Sequence, residues 1–254
     1  MKKEFKRVPA LDKSLKIMEL LANSKTPLGL SDIAKKLGYH IGTVYNILYT
    51  LVDQNLLEYN DNKKFGLGLK LYKLGRAVLG DTDLINLLHP YLEEINAKTR
   101  LSVFLGFRSG LNSLIVDTVE SSYNVRISSE VGRRFPLLGG AAGKAFLSQL
   151  SDAEIDSILS ENKLERFTPK TIISKKKYKE MIVKVRQKGI AISNEEYMEG
   201  VCALAVPIKI KKWKFPIAIW VIGLKSQIKE RGFAFYADIL KETAGKTKDR
   251  FLML

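Results

Sequence analysis

The sequence predicts two domains, a small helical domain with a β-hairpin followed by a larger α+β domain built on a central antiparallel sheet. At roughly 100–200 residues per domain, its 254 residues allow one large domain or two modest ones. Apolar residues recur at helical spacing through the first eighty residues, and a hairpin pattern ends that stretch. Beyond it, strand-like and helical runs are mixed, which is typical of α+β folds.

Positive charge is concentrated at the start of the chain. The sequence has 42 Lys+Arg against 27 Asp+Glu, a formal net charge of +15. Residues 1–80 contain 14 basic and 7 acidic residues, a net of +7, whereas residues 81–254 have a net of +8 over about twice the length. This distribution favours an anionic partner for the first domain and a lysine-rich surface for the second.

The composition excludes several classes of protein. Cys202 is the only cysteine, so no intrachain disulfide forms, and with His40 and His89 as the only histidines we expect no zinc site and no cofactor. The chain has no apolar run of about 18 residues, as a membrane span requires. The N-terminal residues 1–13 lack the apolar segment of roughly 7–15 residues found in signal peptides. We therefore expect a cytoplasmic protein.

Three helices are predicted before residue 54. The first covers about residues 10–22, and a short second helix is predicted to be capped by Ser31 and ended by Gly38. A third begins near Ile41, and one face carries an apolar stripe of Val44, Ile47, Leu48, Leu51 and Val52. Two helices joined by a short glycine-containing turn, after a supporting helix, form the helix-turn-helix pattern.

A β-hairpin is predicted directly after the third helix. Residues 56–59 and Lys64–Leu67 are predicted strands around the polar turn 60–63, which is typical of the wing of a winged helix. Lys63 and Lys64 would lie at its tip, within reach of a DNA backbone. Leu69–Leu79 is predicted to be a connecting helix that ends at Gly80.

These elements favour binding to double-stranded DNA. The candidate contact residues are hydroxyl, amide and lysine side chains that suit base edges or phosphates: Ser31, Thr43, Tyr45, Asn46, Tyr49, Lys63 and Lys64. Asn46 is suited to a bidentate pair with adenine. Because residues 41–53 contain no Lys or Arg, we expect charge to hold the backbone and uncharged residues to read bases. The alternative is a winged helix used only for protein contacts.

The second domain is predicted to begin with a helix over Leu84–Thr99, capped by Asp83. A capping box at Ser151 begins another helix, and Gly189 ends the helix predicted over residues 174–188. The remaining predictions are strands at 101–108, 114–119, 125–129, 190–193, 203–210 and 216–223, a hairpin connection at 109–112, a helical run at 146–150 and a final helix over about 229–251.

The glycine-rich run at residues 139–145, GGAAGKA, resembles part of a phosphate loop. It lacks the G-x-x-x-x-G-K-[ST] spacing, and Ala145 offers no hydroxyl after Lys144, which disfavours nucleotide hydrolysis. Two interpretations remain. Backbone N–H groups at a helix N-terminus can bind a small anion, or the glycines and alanines permit close packing.

Over essentially its whole length the chain resembles IclR-type transcriptional regulators. The resemblance rests on residues 8–15, 30–57, 67–71, 133–145, 194–197 and 200–207. It implies a winged helix-turn-helix DNA-binding domain at 1–68, a linker helix at 69–82 and a GAF-like effector-binding domain at 83–254. It further implies promoter binding as a dimer or tetramer, with no enzymatic activity.

The resemblance also implies an effector pocket formed by Gly140, Ala141, Ala142, Ser193, Ala203, Trp220 and Ile222. In relatives that bind small organic acids, polar groups occupy several of these positions, whereas Ala203, Trp220 and Ile222 are apolar here. Cys202 lies one residue before the usual cysteine position and would face away from the pocket. We therefore predict either an apolar or aromatic effector in place of a small oxoacid, or a pocket that Trp220 fills.

Three other functions are compatible with parts of the sequence. A protein that binds DNA constitutively needs no effector. A nonspecific DNA binder could use the basic runs at 175–177 and 209–214, although such runs are usually solvated surfaces. An enzyme could use Cys202 as a nucleophile, but the sequence supplies no resolving cysteine.

Overall fold

A computed structural model describes residues 6–79, 84–210, 213 and 215–252. The chain divides into two compact units, residues 1–83 and residues 84–254, and each is described by itself. The predicted fold class is confirmed: a helical unit with a small sheet comes first, and an α+β unit with an antiparallel sheet follows.

The described residues of the first unit form four helices and three short strands. In chain order they are α1 Pro9–Ala22, β1 Leu28–Gly29, α2 Leu30–Leu37, α3 Ile41–Asp53, β2 Leu57–Tyr59, β3 Lys64–Leu67 and α4 Leu69–Leu79. The predicted wing is confirmed, and β1, which the sequence analysis missed, adds a third strand in the order β1-β3-β2. Leu28 pairs with Phe65, so the wing is anchored to the loop before α2.

The predicted apolar stripe of α3 forms the centre of the first core. Val44, Ile47, Leu48 and Leu51 are buried against Ile17 of α1, together with residues of α2 and the wing. This burial fixes which face of α3 remains outside, because residues on the opposite side of the helix cannot reach the core.

The predicted N-cap at Ser31 is wrong. Helix α2 begins at Leu30, and its N-cap is Gly29, two residues before Ser31. The carboxylate of Asp32 accepts a hydrogen bond from the Gly29 N–H at 3.1 Å. Pairing of β1 with the wing places Gly29 at the end of a strand, so the helix starts directly after it. Gly38 ends α2 in the left-handed conformation, as predicted.

The second unit contains one six-stranded antiparallel sheet, in the order β6-β5-β4-β9-β8-β7. Its strands are β4 Ser102–Ser109, β5 Asn112–Val119, β6 Arg134–Pro136, β7 Ala191–Asn194, β8 Val201–Ile208 and β9 Ile217–Leu224. Its helices are α5 Leu84–Thr99, α6 Gly140–Leu147, α7 Asp152–Glu161, α8 Lys175–Lys188 and α9 Lys225–Leu252, the last interrupted at Gly232. One core lies between the sheet and helices α6, α7 and α8.

Two predictions for this unit are wrong. Residues 125–129 form no strand; two of their carbonyl groups accept hydrogen bonds from side chains, Val125 from Gln227 at 2.8 Å and Ile127 from Ser102. The glycine-rich run does not precede a helix at 146 but is itself helix α6. A Cβ at Gly143 would lie 1.6 Å from the Leu137 carbonyl oxygen, so only glycine allows this approach.

Other predicted helix boundaries are confirmed where they are described, except that α9 begins at Lys225, four residues before the predicted start near residue 229. Ser151 caps α7 through a reciprocal capping box with Glu154, and Gly189 ends α8 with φ of 70°. The predicted helix end at Gly80 and the cap at Asp83 lie outside the described residues. No helix in the described parts of the chain is long and apolar enough to cross a membrane. Among those same residues, no cluster of His, Cys, Asp or Glu could hold a metal ion.

Candidate nucleic-acid interface and ligand pocket

The face of α3 opposite the core carries most of the predicted DNA contacts. Tyr45, Asn46 and Tyr49 are exposed, whereas Thr43 is half-buried. The side-chain amide of Asn46 forms no hydrogen bond within the described residues. The backbone carbonyl of Asn46 accepts one from the Thr50 hydroxyl at 2.7 Å. Asn46 therefore presents both a donor and an acceptor to the outside of the helix.

The wing tip is a tightly bonded turn that projects lysines. The side-chain oxygen of Asn60 accepts hydrogen bonds from the backbone N–H groups of Asn62 and Lys64, both at 3.1 Å. Lys63 adopts a positive φ of 54°, and both Lys63 and Lys64 are exposed. Ser31, on α2, is exposed as well.

An aromatic cluster that the sequence analysis missed joins α3 to the wing. The ring of Tyr49 lies 4.4 Å from that of Tyr45 and 6.0 Å from those of Tyr59 and Phe65, measured between centroids. Tyr49 therefore couples the orientation of the helix to that of the wing, a role that only the pairing of distant segments reveals.

His40 is a further residue that the sequence analysis missed. It is the N-cap of α3, and its Nδ1 accepts a hydrogen bond from the Gly42 N–H at 3.3 Å. Its position directly before the third helix was a usable signal, since a capping side chain belongs there. The imidazole ring is exposed at the N-terminus of α3, the positive end of the helix dipole.

In the second unit, one cavity of about 170 Å³ lies between the sheet and the start of α6. All seven residues predicted for an effector pocket line it: Gly140, Ala141, Ala142, Ser193, Ala203, Trp220 and Ile222. Further apolar lining comes from residues that the sequence analysis did not select, namely Phe104, Ile115, Ile127, Phe135, Tyr197, Met198 and Val201, with Gly139 beside them.

Trp220 forms a wall of this cavity and leaves it open. Its ring stacks on Phe104 at 5.6 Å and meets Phe146 edge-on at 6.4 Å. A Cβ at Gly106 would lie 2.6 Å from the indole, so glycine on β4 makes room for the ring. Both predicted alternatives, an apolar or aromatic effector and a pocket that Trp220 fills, stay predictions, and a cavity of about 170 Å³ lies beside the indole.

The start of α6 offers backbone donors to the cavity. Gly139 is the N-cap, and no side chain caps the helix. Gly140, Ala141 and Ala142 line the cavity at the positive end of the helix dipole, where N–H groups have no partner within the helix. This geometry suits a carboxylate or another small anion.

The cavity also has polar residues that the sequence analysis missed. Ser113, Ser128, Ser129 and Arg133 contribute to its wall. The hydroxyl oxygens of Ser113 and Ser129 are buried without a hydrogen-bond partner among the described residues. The Arg133 guanidinium lies over the ring of Phe135 at 5.5 Å, and no described carboxylate forms an ion pair with it. The pocket is therefore less apolar than Ala203, Trp220 and Ile222 alone predicted.

Residues 195–200 hold Tyr197 and Met198 against the cavity. The Glu195 carboxylate binds the ammonium groups of Lys170 and Lys225 and accepts from the Gly200 N–H at 3.1 Å. The hydrogen bonds from Lys170 and Lys225, followed by that from Gly200, lower the pKa of Glu195 from 4.5 to about 2. Tyr197 in turn packs on Phe167 and Phe135.

Acid is expected to loosen this segment. Because the pKa of Glu195 is lower in the folded protein, its contribution to stability is complete above pH 4.5 and is lost as the pH falls towards 2. In thermal melts between pH 5 and pH 2.5, Glu195→Gln should therefore lose less Tm than the unchanged protein. If both proteins lost the same Tm between pH 5 and pH 2.5, the stabilising role of the Glu195 carboxylate would be contradicted.

Lys144 is a buried structural cation. Its side chain is fully buried, and Nζ donates to the Glu196 carboxylate and to the Ile192 carbonyl, both at 2.7 Å. Burial lowers the pKa of Lys144, while the charge and hydrogen bond of Glu196 oppose that shift. The ammonium group is fully buried and binds partners inside the protein, so the phosphate-loop reading of this lysine has no geometric support.

The neighbours of Cys202 on β8, Val201 and Ala203, line the cavity. Because side chains alternate along a strand, Cys202 faces away from the cavity. The thiol is buried and donates to the side-chain oxygen of Asn194 at 3.4 Å. Burial raises its pKa.

Because the thiolate is the reactive form, the thiol should react at pH 7 at least about tenfold more slowly than free cysteine with a disulfide reagent. Unfolding in denaturant should restore the full rate. Rapid reaction of the folded protein would revive the nucleophile hypothesis.

Comparison with known proteins matches both units to one family. The family described as bacterial transcriptional regulator IclR C-terminal matches residues 76–248, and the IclR helix-turn-helix domain matches residues 10–61. The HTH-type transcriptional regulator XynR of Escherichia coli K12 is 27% identical over 246 residues, which is 96% of this chain and 97% of XynR.

Solved structures of similar fold cover nearly the full length of this chain. An IclR transcriptional regulator from Alicyclobacillus acidocaldarius is 27% identical, with a TM-score of 0.76 over 97% of this chain and 100% of that one. An IclR homologue from Microbacterium hydrocarbonoxydans, complexed with 4-hydroxybenzoate, has a TM-score of 0.79 over 96% and 100% of the two chains; at 18% identity it shows the fold alone. The helix-turn-helix unit, the α+β unit and these matches together show that the chain belongs to the IclR family of DNA-binding transcription regulators.

Proposed function

We propose that the protein reads a specific promoter sequence with α3 while the wing lysines hold the adjacent phosphates. The observation that carries this proposal is the face of α3 opposite the core, where Asn46 is exposed beside Tyr45 and no Lys or Arg occurs. Amide and hydroxyl groups can discriminate base edges, whereas lysines at the wing tip supply affinity that is independent of sequence.

Selection from random duplexes with the purified full chain, at two salt concentrations, tests this function. We expect an enriched operator, with two related half-sites for a dimer, and preference for it should persist when salt weakens all binding. If no sequence is enriched over random duplexes at either salt concentration, the protein binds DNA nonspecifically and the regulator proposal fails.

An aromatic or otherwise apolar acid is the effector class that the cavity favours. The ring-lined wall suits an apolar body, and the uncapped start of α6 suits a carboxylate. The cavity of about 170 Å³ beside Trp220 argues for an effector over constitutive binding. One related fold binds 4-hydroxybenzoate, which makes that compound a sensible first probe.

A two- or three-carbon oxoacid is expected to bind poorly. Such a ligand would leave most of the aromatic wall uncovered, so a carboxylate at the start of α6 would gain little from the burial of apolar surface. Calorimetry with glyoxylate and pyruvate should show no saturation below millimolar concentrations. Tight, specific binding of either acid would overturn the effector class.

We also propose self-association through the first unit. Leu11 and Leu15 on α1, and Leu69, Tyr72 and Leu74 on α4, are large apolar side chains that are at least half exposed. Exposed apolar groups of this kind are typical of protein interfaces. Light scattering at micromolar concentration should give a dimer or a tetramer, and a monomer that still binds an operator would contradict this part.

Regulation would work through a difference in effector affinity between the DNA-bound and free states. An effector that binds both states equally shifts nothing, so its influence on operator affinity cannot exceed that difference. Catalysis is the weaker alternative, because the thiol of Cys202 is buried outside the cavity and burial raises its pKa.

A further inference from the structure

An apolar ridge of side chains runs along the outside of α3. Residues four apart lie one above the other on a helix, which places Ile41, Tyr45 and Tyr49 in one row. These side chains are 48%, 48% and 36% exposed. The rings of Tyr45 and Tyr49 lie 4.4 Å apart between centroids, so the ridge is continuous there. A row of exposed large apolar groups is typical of a contact surface.

The row beside this ridge presents one side-chain amide. It consists of Gly42, Asn46 and Thr50. The Thr50 hydroxyl donates to the Asn46 backbone carbonyl at 2.7 Å, so its proton is already engaged within the helix. The Asn46 amide forms no hydrogen bond within the described residues and is suited to the N6 and N7 atoms of adenine. The outside of α3 therefore combines an apolar ridge with an adenine-binding group.

This combination disfavours guanine and favours thymine. A pair of hydrogen bonds from Arg or Lys to guanine is the commonest specific contact in the major groove, and residues 41–53 contain neither residue type. The apolar group that bases present in this groove is the C5-methyl group of thymine. The exposed lysines of the wing lie outside α3, where they are suited to phosphates. The apolar ridge thus matches thymine, the pairing partner of the adenine that suits Asn46.

We propose that Ile41 and Tyr45 read the C5-methyl groups of thymines beside the adenine that Asn46 binds. Ile41 is the first residue of α3, and the N-terminal residues of a recognition helix contact base edges in helix-turn-helix complexes. Its side chain has no polar group, so any base contact that it makes is apolar. This inference rests on the reading of DNA by α3 in the proposed function and adds to it the bases that the helix selects, a core of A·T pairs in each half-site.

Replacing thymine by uracil in the selected operator tests methyl recognition directly. The exchange removes the C5-methyl group and keeps every hydrogen-bonding group of the base pair. In fluorescence anisotropy with the full chain, the affinity should fall about fourfold for each contacted methyl, the effect of burying a group of that size. A symmetric operator should therefore lose about tenfold or more, whereas a random duplex with the same exchange should change less than twofold. Equal affinities for the thymine and uracil operators would overturn the proposal.

Variants identify the side chains that contact the methyl groups. Ile41→Ala and Tyr45→Ala should each lower the ratio of thymine to uracil affinity by about threefold or more. Tyr45→Phe should keep the ratio, because it removes only the hydroxyl. Ile173→Ala is the matched control, since Ile173 is 46% exposed and lies in the second unit before α8. An unchanged ratio in both alanine variants, or its loss in Tyr45→Phe, would refute the assignment.

Folding of the variants is checked by thermal melts. Ile41 and Tyr45 are about half exposed, so their alanine variants should keep the Tm of the unchanged protein within about 2 °C. The comparison of thymine and uracil operators with the unchanged protein requires no variant, so it decides the proposal even if a variant is unstable.

The selected operator separates this inference from the proposed function. An enriched operator whose half-site cores consist of G·C pairs would overturn the reading of thymine and leave sequence-specific binding intact. If no sequence is enriched over random duplexes, the proposed function fails and the inference fails with it.

Discussion

Asn46→Ala is expected to weaken operator binding by roughly 5- to 150-fold, because one bidentate amide–adenine pair contributes about 1–3 kcal/mol of discrimination. The side chain is exposed and no described residue engages its amide, so the substitution should leave the fold unchanged. Fluorescence anisotropy with operator and random duplexes measures the effect. Affinity for random duplex should change less than twofold.

Gln54→Ala provides the matched control on the same helix. Gln54 is exposed at the C-cap of α3, and among the described residues its side chain forms a hydrogen bond only with Asp53. Operator affinity should be retained in this variant. If Asn46→Ala and Gln54→Ala bind the operator equally well, then α3 does not read bases through Asn46, and the proposed recognition face is incorrect.

The wing lysines should behave differently from Asn46. Replacing Lys63 and Lys64 by glutamine removes two phosphate contacts, so the slope of log affinity against log salt should decrease in magnitude by about 2. Affinity for operator and random duplex should fall together, since phosphates carry no sequence. A selective loss of operator binding would place these lysines at base edges instead.

Local signals in the sequence were sufficient to predict most of the fold. The apolar stripe of α3 predicted its core face, and Ser151 and Gly189 predicted helix ends, because caps and periodicity depend on neighbouring residues. The failures involve partners that are distant in sequence. Strand β1 exists only because Leu28 pairs with Phe65, and two carbonyl groups of residues 125–129 accept hydrogen bonds from the distant side chains of Ser102 and Gln227.

The candidate pocket was predictable only in part, because some of its residues come together through partners that are distant in sequence. The resemblance supplied Ala141, Ala142 and Trp220, which line the cavity. It did not supply Ser113, which lies outside the matching segments. Arg133 lies in the segment 133–145 but was not selected, because only its pairing with β5 brings it to that wall. Alternation along β5 was a weak signal, since Ser113 and Ile115 point to the same side of the strand.

A buried ion pair behind the pocket carries the largest expected effect on stability. Glu196→Ala is expected to lower the free energy of unfolding by about 3–5 kcal/mol, because Lys144 is left charged in a fully buried position. At about 2–4 °C per kcal/mol for domains of 150–250 residues, the Tm should fall by roughly 6–20 °C. Melts followed by circular dichroism measure this loss.

A double variant shows whether charge is responsible. Lys144→Met combined with Glu196→Leu removes both charges and should recover most of the lost Tm, since apolar residues of similar volume often replace a buried pair without loss. A double variant as unstable as Glu196→Ala would attribute the effect to packing. Thr171, which donates to the Glu196 backbone carbonyl at 2.7 Å, retains its bond in every variant.

The pH dependence of Glu196→Gln gives an independent check on the same pair. Burial lowers the pKa of Lys144 below 10.5 in the folded protein, so unfolding takes up a proton and stability increases with pH in the interval up to 10.5. Without the Glu196 charge and hydrogen bond, which oppose this shift, the pKa of Lys144 should fall further. The increase in Tm between pH 7 and pH 9.5 should therefore be larger in Glu196→Gln than in the unchanged protein. An equal or smaller increase would mean that Glu196 does not stabilise the charged form of Lys144.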